Sequence, residues 1–211
     1  MPVVATAAPL ALRESLLDGF AEQGLDVPLR PAALDLLLRD GDADQAAGEV
    51  AAALFFVTGR DREAKLLHDS ALATRRKALA IARLLRAPAE AAGVAGLLHR
   101  AGEACALRAL ARAEGGSHVR LDTPSRAELC ARHQSPFTDQ LIRAWRLPAA
   151  VGEALRTWRQ FRSTASRGAA IVYLAHLLSS EELHPEFFAP GLLRNVAAEL
   201  GIDAAQLDAM G

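Results

Sequence analysis

Several residue types are scarce in this chain, and each shortage argues against a class of protein. The 211 residues include two cysteines, Cys105 and Cys130, and neither belongs to a CxxC pair. That argues against a zinc knuckle and a disulfide framework, and it fits a reducing cytoplasm. Aromatic residues make up 5% of the chain, so leucine, alanine and valine must fill the interior. Because this mixture favours helices over strands, the composition predicts an all-α protein.

Net charge and long apolar runs are lacking as well. The formal net charge is −1 at pH 7, which gives no long-range field to attract nucleic acid or an anionic membrane. No apolar run reaches about 18 residues, the length that a transmembrane helix requires. The first residues lack the basic region of a signal peptide. We therefore expect a cytoplasmic protein that has no membrane partner and does not bind nucleic acid. No GxGxxG motif or Walker loop is present.

Apolar periodicity predicts three helices before residue 60. In the first, Leu12, Leu16 and Phe20 recur at helical spacing and are predicted to form the buried face, with Gly24 ending the helix. Two shorter apolar patterns follow it. The three helices are predicted to form a small bundle, an N-terminal lobe over residues 1–60.

The rest of the chain, residues 61–211, is predicted to be a larger helical domain that forms one unit with the lobe. Proline and Ser/Thr start signals divide it into segments. In order, these are a long helix over 61–86, one or two helices over 88–113, a loop over 114–118, helices that begin at Thr123, Ser135 and Pro148, an apolar helix from Ala165, and a final pair over 192–200 and 203–210.

Four separated segments carry a resemblance to a known family. They are HDSALATRRKALAIARLL (68–85), GLLHRAGEACAL (96–107), IRAWRLPAAVGEALRTW (142–158) and AAIVYLAHLL (169–178). In this order they resemble the histidine-serine helix, the GLLHDIG segment, the tryptophan-x-leucine-proline segment and the following helix of the HDOD family. That family is the HD-related output domain, which descends from the HD phosphohydrolases. The resemblance covers roughly residues 25 to 210 and implies an HD-like multi-helix bundle with a small N-terminal lobe.

The resemblance also assigns the positions that would hold metal in a catalytic HD domain. In this sequence they are Asp69, His99, Arg100, Gln134, Trp158 and Arg159. Arg100 stands where an aspartate is expected, and its fixed positive charge cannot ligate a cation. The indole of Trp158 has no lone pair to give to a metal ion. The resemblance therefore implies a pseudoenzyme that has lost its metal ligands, with no catalytic residue, no metal site and no cofactor.

Three functions remain open at this stage. HDOD proteins are generally regarded as non-catalytic, so the resemblance implies a signalling or regulatory module that binds another protein, whose identity the sequence does not reveal. The alternative is a sensor of a small nucleotide or other phosphate-containing ligand in the vacated pocket, with Arg100 and Arg159 as contacts because paired guanidiniums suit phosphate. A residual metal-dependent phosphohydrolase is the least favoured of the three.

Structural roles are predicted for several residues in and near this pocket. His99 and His176 are interpreted as hydrogen-bonded structural histidines in apolar helices. Asp69 is predicted to form an ion pair with Arg100 or Arg159, which would replace the lost metal with protein charges. Trp158 is predicted to plug the cavity.

Overall fold

A computed structural model describes residues 10–40, 43–56, 61–117, 120–160, 166–183 and 190–209. Among these residues all regular secondary structure is helical, so the predicted all-α class is confirmed. The α-helices are α1 (Leu10–Gln23), α2 (Ala33–Arg39), α3 (Asp44–Phe55), α4 (Asp61–Leu84), α5 (Ala89–Leu98), α6 (Ala101–Ser117), α7 (Thr123–Ala144), α8 (Ala149–Thr157), α9 (Arg167–Leu183), α10 (Pro190–Glu199) and α11 (Ala204–Asp208). One turn of 3₁₀ helix, Trp158–Gln160, continues α8. Within the described ranges, no helix is both long and apolar enough to cross a bilayer.

Two hydrophobic clusters hold these helices together. The larger one combines side chains from α1 to α3 with side chains from α4 to α9, so it spans the predicted boundary at residue 60. The smaller one lies where α4 and α9 meet α10 and α11. Long apolar faces of α4, α5 and α9 pack against one another, and α6 runs along α7. This arrangement brings the end of α5, the middle of α7 and the end of α8 to one place.

The first helix turns a different face to the core from the one that the leucine pattern predicts. Leu12 and Leu16 are 55% and 40% exposed, whereas Arg13 and Leu17 are buried. The guanidinium of Arg13 pairs with the carboxylate of Glu114 in α6 across 4.0 Å, and both side chains are inaccessible to solvent. Each residue advances a helix by about 100°, so burial of Arg13 and Leu17 turns Leu12 and Leu16 outward.

The predicted three-helix bundle is not the observed arrangement. α1 packs mainly on α6 and α7, whereas α2 packs on α3 and α5. The link between α1 and α2 is attached to the end of α7 through Trp145, whose side chain is fully buried. The indole Nε1–H donates to the carbonyl oxygen of Pro28 at 2.8 Å, and Arg30 Nε donates to the carbonyl oxygen of Trp145 at 2.8 Å.

One continuous helix, α7, stands where two helices are predicted. Pro136 lies inside it, although Ser135 and Pro136 resemble a start signal. The absent N–H of an interior proline costs about 3 kcal/mol, and packing along the whole length of α6 outweighs that loss. The N-cap is Asp122, whose Oδ1 accepts from Ser125 N at 2.8 Å, and not the predicted Thr123.

The segment predicted as a loop over 114–118 is helical as far as Ser117. Glu114 explains the difference, because its Oε1 accepts a hydrogen bond from the backbone N–H of Leu121 at 2.6 Å. This bond and the ion pair with Arg13 hold the last turns of α6 in place, despite the two glycines that follow Glu114. His118 lies outside the described residues.

Candidate functional site

His99 stands at the turn between α5 and α6, and its side chain is buried. Its Nδ1 atom lies 2.7 Å from the carbonyl oxygen of Gly96. A carbonyl oxygen only accepts, so Nδ1 carries the proton and Nε2 is left as an acceptor. The predicted hydrogen-bonded role of His99 matches this geometry.

His176 of α9 supplies the donor that His99 needs. Its Nδ1 atom lies 3.2 Å from His99 Nε2, so the Nδ1–H of His176 donates to the lone pair of His99. Burial lowers the pKa of His176 to about 4, and the nearby Arg100 and Arg159 lower it in the same direction. Burial, with the charges of its neighbours, lowers the pKa of His99 well below the usual value. Both imidazoles are therefore neutral at neutral pH.

Trp158 fills the space beside the two histidines. It is buried, and its ring centroid lies 5.0 Å from that of His99 and 5.1 Å from that of His176, edge to face in both cases. The guanidinium carbon of Arg159 lies 4.7 Å from the centre of the indole ring. Trp158 thus packs against both histidines and supports the arginine.

Glu103 of α6 joins the two predicted arginines. Arg100 binds its carboxylate through two hydrogen bonds, Nε to Oε2 at 2.9 Å and Nη2 to Oε1 at 2.6 Å. Arg159 approaches the same carboxylate, with its Nη2 atom 3.7 Å from Oε2, which is beyond hydrogen-bonding distance. Glu103 was not among the predicted positions, although its place one turn after Arg100 is a recognisable signal for a helical ion pair.

The predicted ion pair between Asp69 and one of these arginines is wrong. Asp69 instead pairs with Lys65, one turn earlier on α4, and its Oδ1 lies 3.2 Å from His68 Nδ1. Lys65, His68 and Asp69 lie within about one turn of α4. Arg100 and Arg159 pair instead with Glu103. Asp69 is 39% exposed.

A polar cleft of ≈ 450 Å³ lies between α7, α8 and the 3₁₀ turn. Four of the six predicted positions line it, namely His99, Gln134, Trp158 and Arg159. Arg100 lines a separate, mainly apolar pocket of ≈ 120 Å³. The other lining residues of the cleft were not predicted, and they are Ser135, Thr138, Asp139, Leu155, Arg156, Thr157 and Gln160.

Arg156 is the second guanidinium of the cleft. Its Nε atom donates to Asp139 Oδ1 at 2.6 Å, and both side chains are close to half exposed. The bond closes one side of the cleft by joining α8 to α7. Arg156 lies three residues before Arg159, a spacing that the sequence shows once the helix is known to continue into the 3₁₀ turn.

The residues at the predicted metal positions do not fit a divalent cation. Both nitrogens of His99 are engaged in hydrogen bonds, and Glu103 is held by two guanidiniums. A cation placed here would meet the positive charges of Arg100 and Arg159. Within the described ranges, no group of three or more His, Cys, Asp or Glu side chains is arranged to hold a metal ion.

No family model matches this chain, and neither a curated protein nor a solved structure matches it.

Proposed function

We propose that the chain is a non-catalytic, HDOD-like regulatory module whose polar cleft binds a small phosphate-containing ligand. The observation that carries this proposal is Arg159. Its guanidinium has five N–H donors, yet among the described residues none of them makes a hydrogen bond. Trp158 supports it from one side, and the cleft lies beside it. A phosphate oxygen would supply the acceptors that Arg159 lacks.

The remaining walls suit the same ligand. Ser135 adds a hydroxyl group and Gln134 adds an amide. The hydroxyls of Thr138 and Thr157 also line the cleft, but they donate to the carbonyl oxygens of Gln134 and Glu153. Arg100 was predicted to contact the phosphate, but it is bound to Glu103 and does not line the cleft. Arg156 would make this contact in its place. A volume of ≈ 450 Å³ is within the range of about 300 to 1,000 Å³ that is usual for small-molecule sites.

The non-catalytic part of the proposal is supported by the histidines. A general base must offer a free lone pair to the proton that it removes. His99 Nε2 is occupied by the N–H of His176, and Trp158 packs edge to face against both rings. His99 is therefore not placed to act as a general base.

The test uses p-nitrophenyl phosphate and its methyl ester, methyl p-nitrophenyl phosphate, titrated into the full chain at low ionic strength with calorimetric detection. We expect saturable binding of at least one ester and no release of p-nitrophenolate above the buffer rate. Arg159→Ala and Arg156→Ala should each weaken binding about tenfold or more, as the loss of a charged hydrogen-bond donor does. Unchanged melting temperatures would show that the variants fold.

Arg132→Ala is the matched control. Arg132 is a half-exposed arginine of α7 that pairs with Glu14 and Glu128, and it does not line the cleft. The substitution changes the net charge equally and should leave binding unchanged. Absence of binding by both esters, or equal losses in all three variants, would contradict a phosphate site in the cleft. Release of p-nitrophenolate that depends on Arg159 would contradict a non-catalytic module.

Binding of a protein partner is a second candidate function, and the outer face of α1 favours it. Leu12 and Leu16 lie one turn apart on that face and are exposed, although leucines at this spacing usually face a neighbour. Leu12→Glu and Leu16→Glu should abolish co-purification of a specific partner without lowering stability. Leu84→Glu, at a leucine of similar exposure on α4, is the control. A partner that is retained equally by all variants does not use this face.

A further inference from the structure

We infer that the ligand of the cleft is a hydroxylated organic phosphate, of the polyol or sugar phosphate class, and that Thr157, Asp139 and Thr138 recognise its hydroxyl groups. The inference rests on the proposed function, because it concerns the same cleft. It goes beyond it by naming the chemical class of the ligand and the side chains that distinguish this class from other phosphates.

Two threonine hydroxyl groups in the cleft lining have already given their protons to the backbone. Thr157 Oγ1 donates to the carbonyl oxygen of Glu153 at 2.9 Å, and Thr138 Oγ1 donates to that of Gln134 at 2.8 Å. A hydroxyl group has a single proton, so both oxygens can now only accept. A fully ionised phosphate group has no proton to give them. The two threonines therefore suit a different part of the ligand, one that donates.

Asp139 is a third acceptor in the same lining. Its Oδ1 accepts from Arg156 Nε at 2.6 Å, whereas its Oδ2 has no hydrogen-bond partner within the described part of the chain. The side chain is 43% exposed, so a ligand can reach it. The guanidinium of Arg156 offsets the negative charge of the carboxylate. A hydrogen bond from a hydroxyl group to a carboxylate is stronger than one to a neutral oxygen, so Asp139 favours the same kind of donor.

These acceptors lie close to the guanidiniums that are proposed to bind phosphate. Thr138 precedes Asp139 on α7, and Thr157 follows Arg156 on α8, so the two threonines flank the bond that joins these helices. Arg159 comes three residues after Arg156, about 5 Å farther along. The ligand that best matches this lining therefore carries donor groups within a few bonds of its phosphate.

Hydroxyl groups fit this description better than other donors. An ammonium group would donate as well, but the guanidiniums of Arg156 and Arg159 would repel its charge. A nucleobase also donates, but proteins usually bind it by stacking on an open aromatic face. The aromatic rings of the described lining, those of His99 and Trp158, are buried, and Arg159 lies over the indole. A polyol or a sugar brings neutral donors and does not depend on stacking.

The experiment compares glycerol phosphate with propyl phosphate, which has the same charge and a carbon chain of the same length but no hydroxyl groups. Their affinities for the full chain are measured by calorimetry at low ionic strength and mildly alkaline pH. We expect the wild-type chain to bind glycerol phosphate about tenfold more tightly, because two additional hydrogen bonds are worth about that factor in net terms.

Thr157→Val removes one acceptor and keeps the branched shape of the side chain. It should weaken the binding of glycerol phosphate about threefold to tenfold and leave the binding of propyl phosphate unchanged, which a merely structural role would not do. Thr138→Val should act in the same direction but less strongly, because the Thr138 oxygen also lies against α6 at Gly102. The matched control is Thr123→Val, at the start of α7 and outside the cleft lining, which should change neither affinity.

Asp139→Asn tests the third acceptor. It replaces a charged acceptor with a neutral one and removes a negative charge from the lining, so both esters should bind more tightly. The gain should be larger for propyl phosphate, because glycerol phosphate loses its hydrogen bond to a carboxylate. The ratio of the two affinities should therefore fall, as it does in the threonine variants.

Each outcome decides between the two proposals. If the wild-type chain binds both esters equally, or if the threonine variants weaken both by the same factor, the recognition of hydroxyl groups is wrong and the phosphate site stands. The same conclusion follows if neither ester binds but p-nitrophenyl phosphate does. If none of the three binds, the phosphate site itself is wrong and the inference falls with it. A preference for glycerol phosphate that falls in Thr157→Val but not in Thr123→Val supports the inference.

Discussion

The Nε2 atom of His99 lies 3.2 Å from the Nδ1 atom of His176, and this bond joins the end of α5 to the middle of α9. The bond requires a lone pair on His99 and an N–H on His176. A proton added at His99 Nε2 would oppose this N–H unless His176 changed tautomer and accepted through Nδ1. The bond in its present direction therefore has a neutral His99 as its acceptor.

This arrangement predicts that the protein loses stability as the pH falls. The folded-state pKa of His176 is about 4, below the value of about 6.5 for the unfolded chain, so the unfolded state binds more protons between these limits. The loss from His176 should reach about 3 kcal/mol at the lower limit, and the lowered pKa of His99 adds to it. Urea unfolding between about pH 7.5 and about pH 4.5 measures the loss.

His176→Gln is the informative variant, because an amide N–H can still donate to His99 but does not titrate. It should be less stable than the wild type at neutral pH and lose less stability on acidification. Asp26, whose burial raises its pKa, changes stability in the opposite direction in both proteins and so cancels in the comparison. Equal losses in the two proteins would show that His176 is not held neutral.

Trp158→Ala should destabilise the protein by about 3 to 5 kcal/mol, as large core deletions do. The indole contacts His99, His176 and Tyr173, and its loss would open the interior toward the cleft. Trp158→Phe keeps an aromatic ring and should cost about half as much or less. Chemical denaturation measures both. A loss below about 1 kcal/mol in Trp158→Ala would mean that the space is filled by other means.

Gly102→Ala should destabilise the contact between α6 and α7. A Cβ atom at this position would lie 2.1 Å from the carbonyl oxygen of Gln134 and 2.2 Å from the hydroxyl of Thr138, so the helices would have to separate. The expected loss is about 2 to 3 kcal/mol by urea unfolding.

Gly115→Ala, in the same helix, has no atom within 4 Å of the added Cβ and serves as the control. It should be neutral or stabilise by up to about 1 kcal/mol, the difference in helix propensity between the two residues. Similar losses in both variants would contradict the close approach at Gly102.

The buried pair of Arg13 and Glu114 predicts an asymmetric response to substitution. Glu114→Ala leaves the guanidinium without its carboxylate and removes the acceptor for Leu121 N, so it should cost about 3 to 5 kcal/mol. Arg13→Met combined with Glu114→Gln should restore most of that stability, because it removes both charges and keeps an acceptor. A double-mutant cycle by urea unfolding measures the coupling. Additive losses would show that the two charges do not interact.

The helical fold class and most helix positions follow from local patterns in the sequence. Where the structure differs from the predicted helices, long-range contacts are the cause. The outward turn of Leu12 and Leu16 depends on Glu114, a hundred residues away, whose attraction for Arg13 no periodicity in α1 reveals. Pro136 has the local properties of a helix start, and only the packing of α7 along α6 shows that the helix continues. Tertiary context overrides local preference in both cases.

The candidate site could also be predicted only in part, because long-range contacts determine some of its positions. The resemblance implies six positions around one pocket, and four of them, His99, Gln134, Trp158 and Arg159, line the same cleft. The positions of Asp69 and Arg100 depend on side-chain partners, Lys65 in one case and Glu103 in the other. Arg156 could not be found by counting, because its place in the cleft depends on where α8 ends.

The attachment of Pro28 and Arg30 to Trp145 has a consequence for the order of events during synthesis. The link between α1 and α2 leaves the ribosome more than a hundred residues before Trp145, the residue that secures it. Until then the early helices lack their final neighbours and expose apolar surface to solvent or to a chaperone. Such distant contacts also slow folding in a helical protein, where most contacts are local. The docking of this link onto the end of α7 should therefore come after α7 has formed.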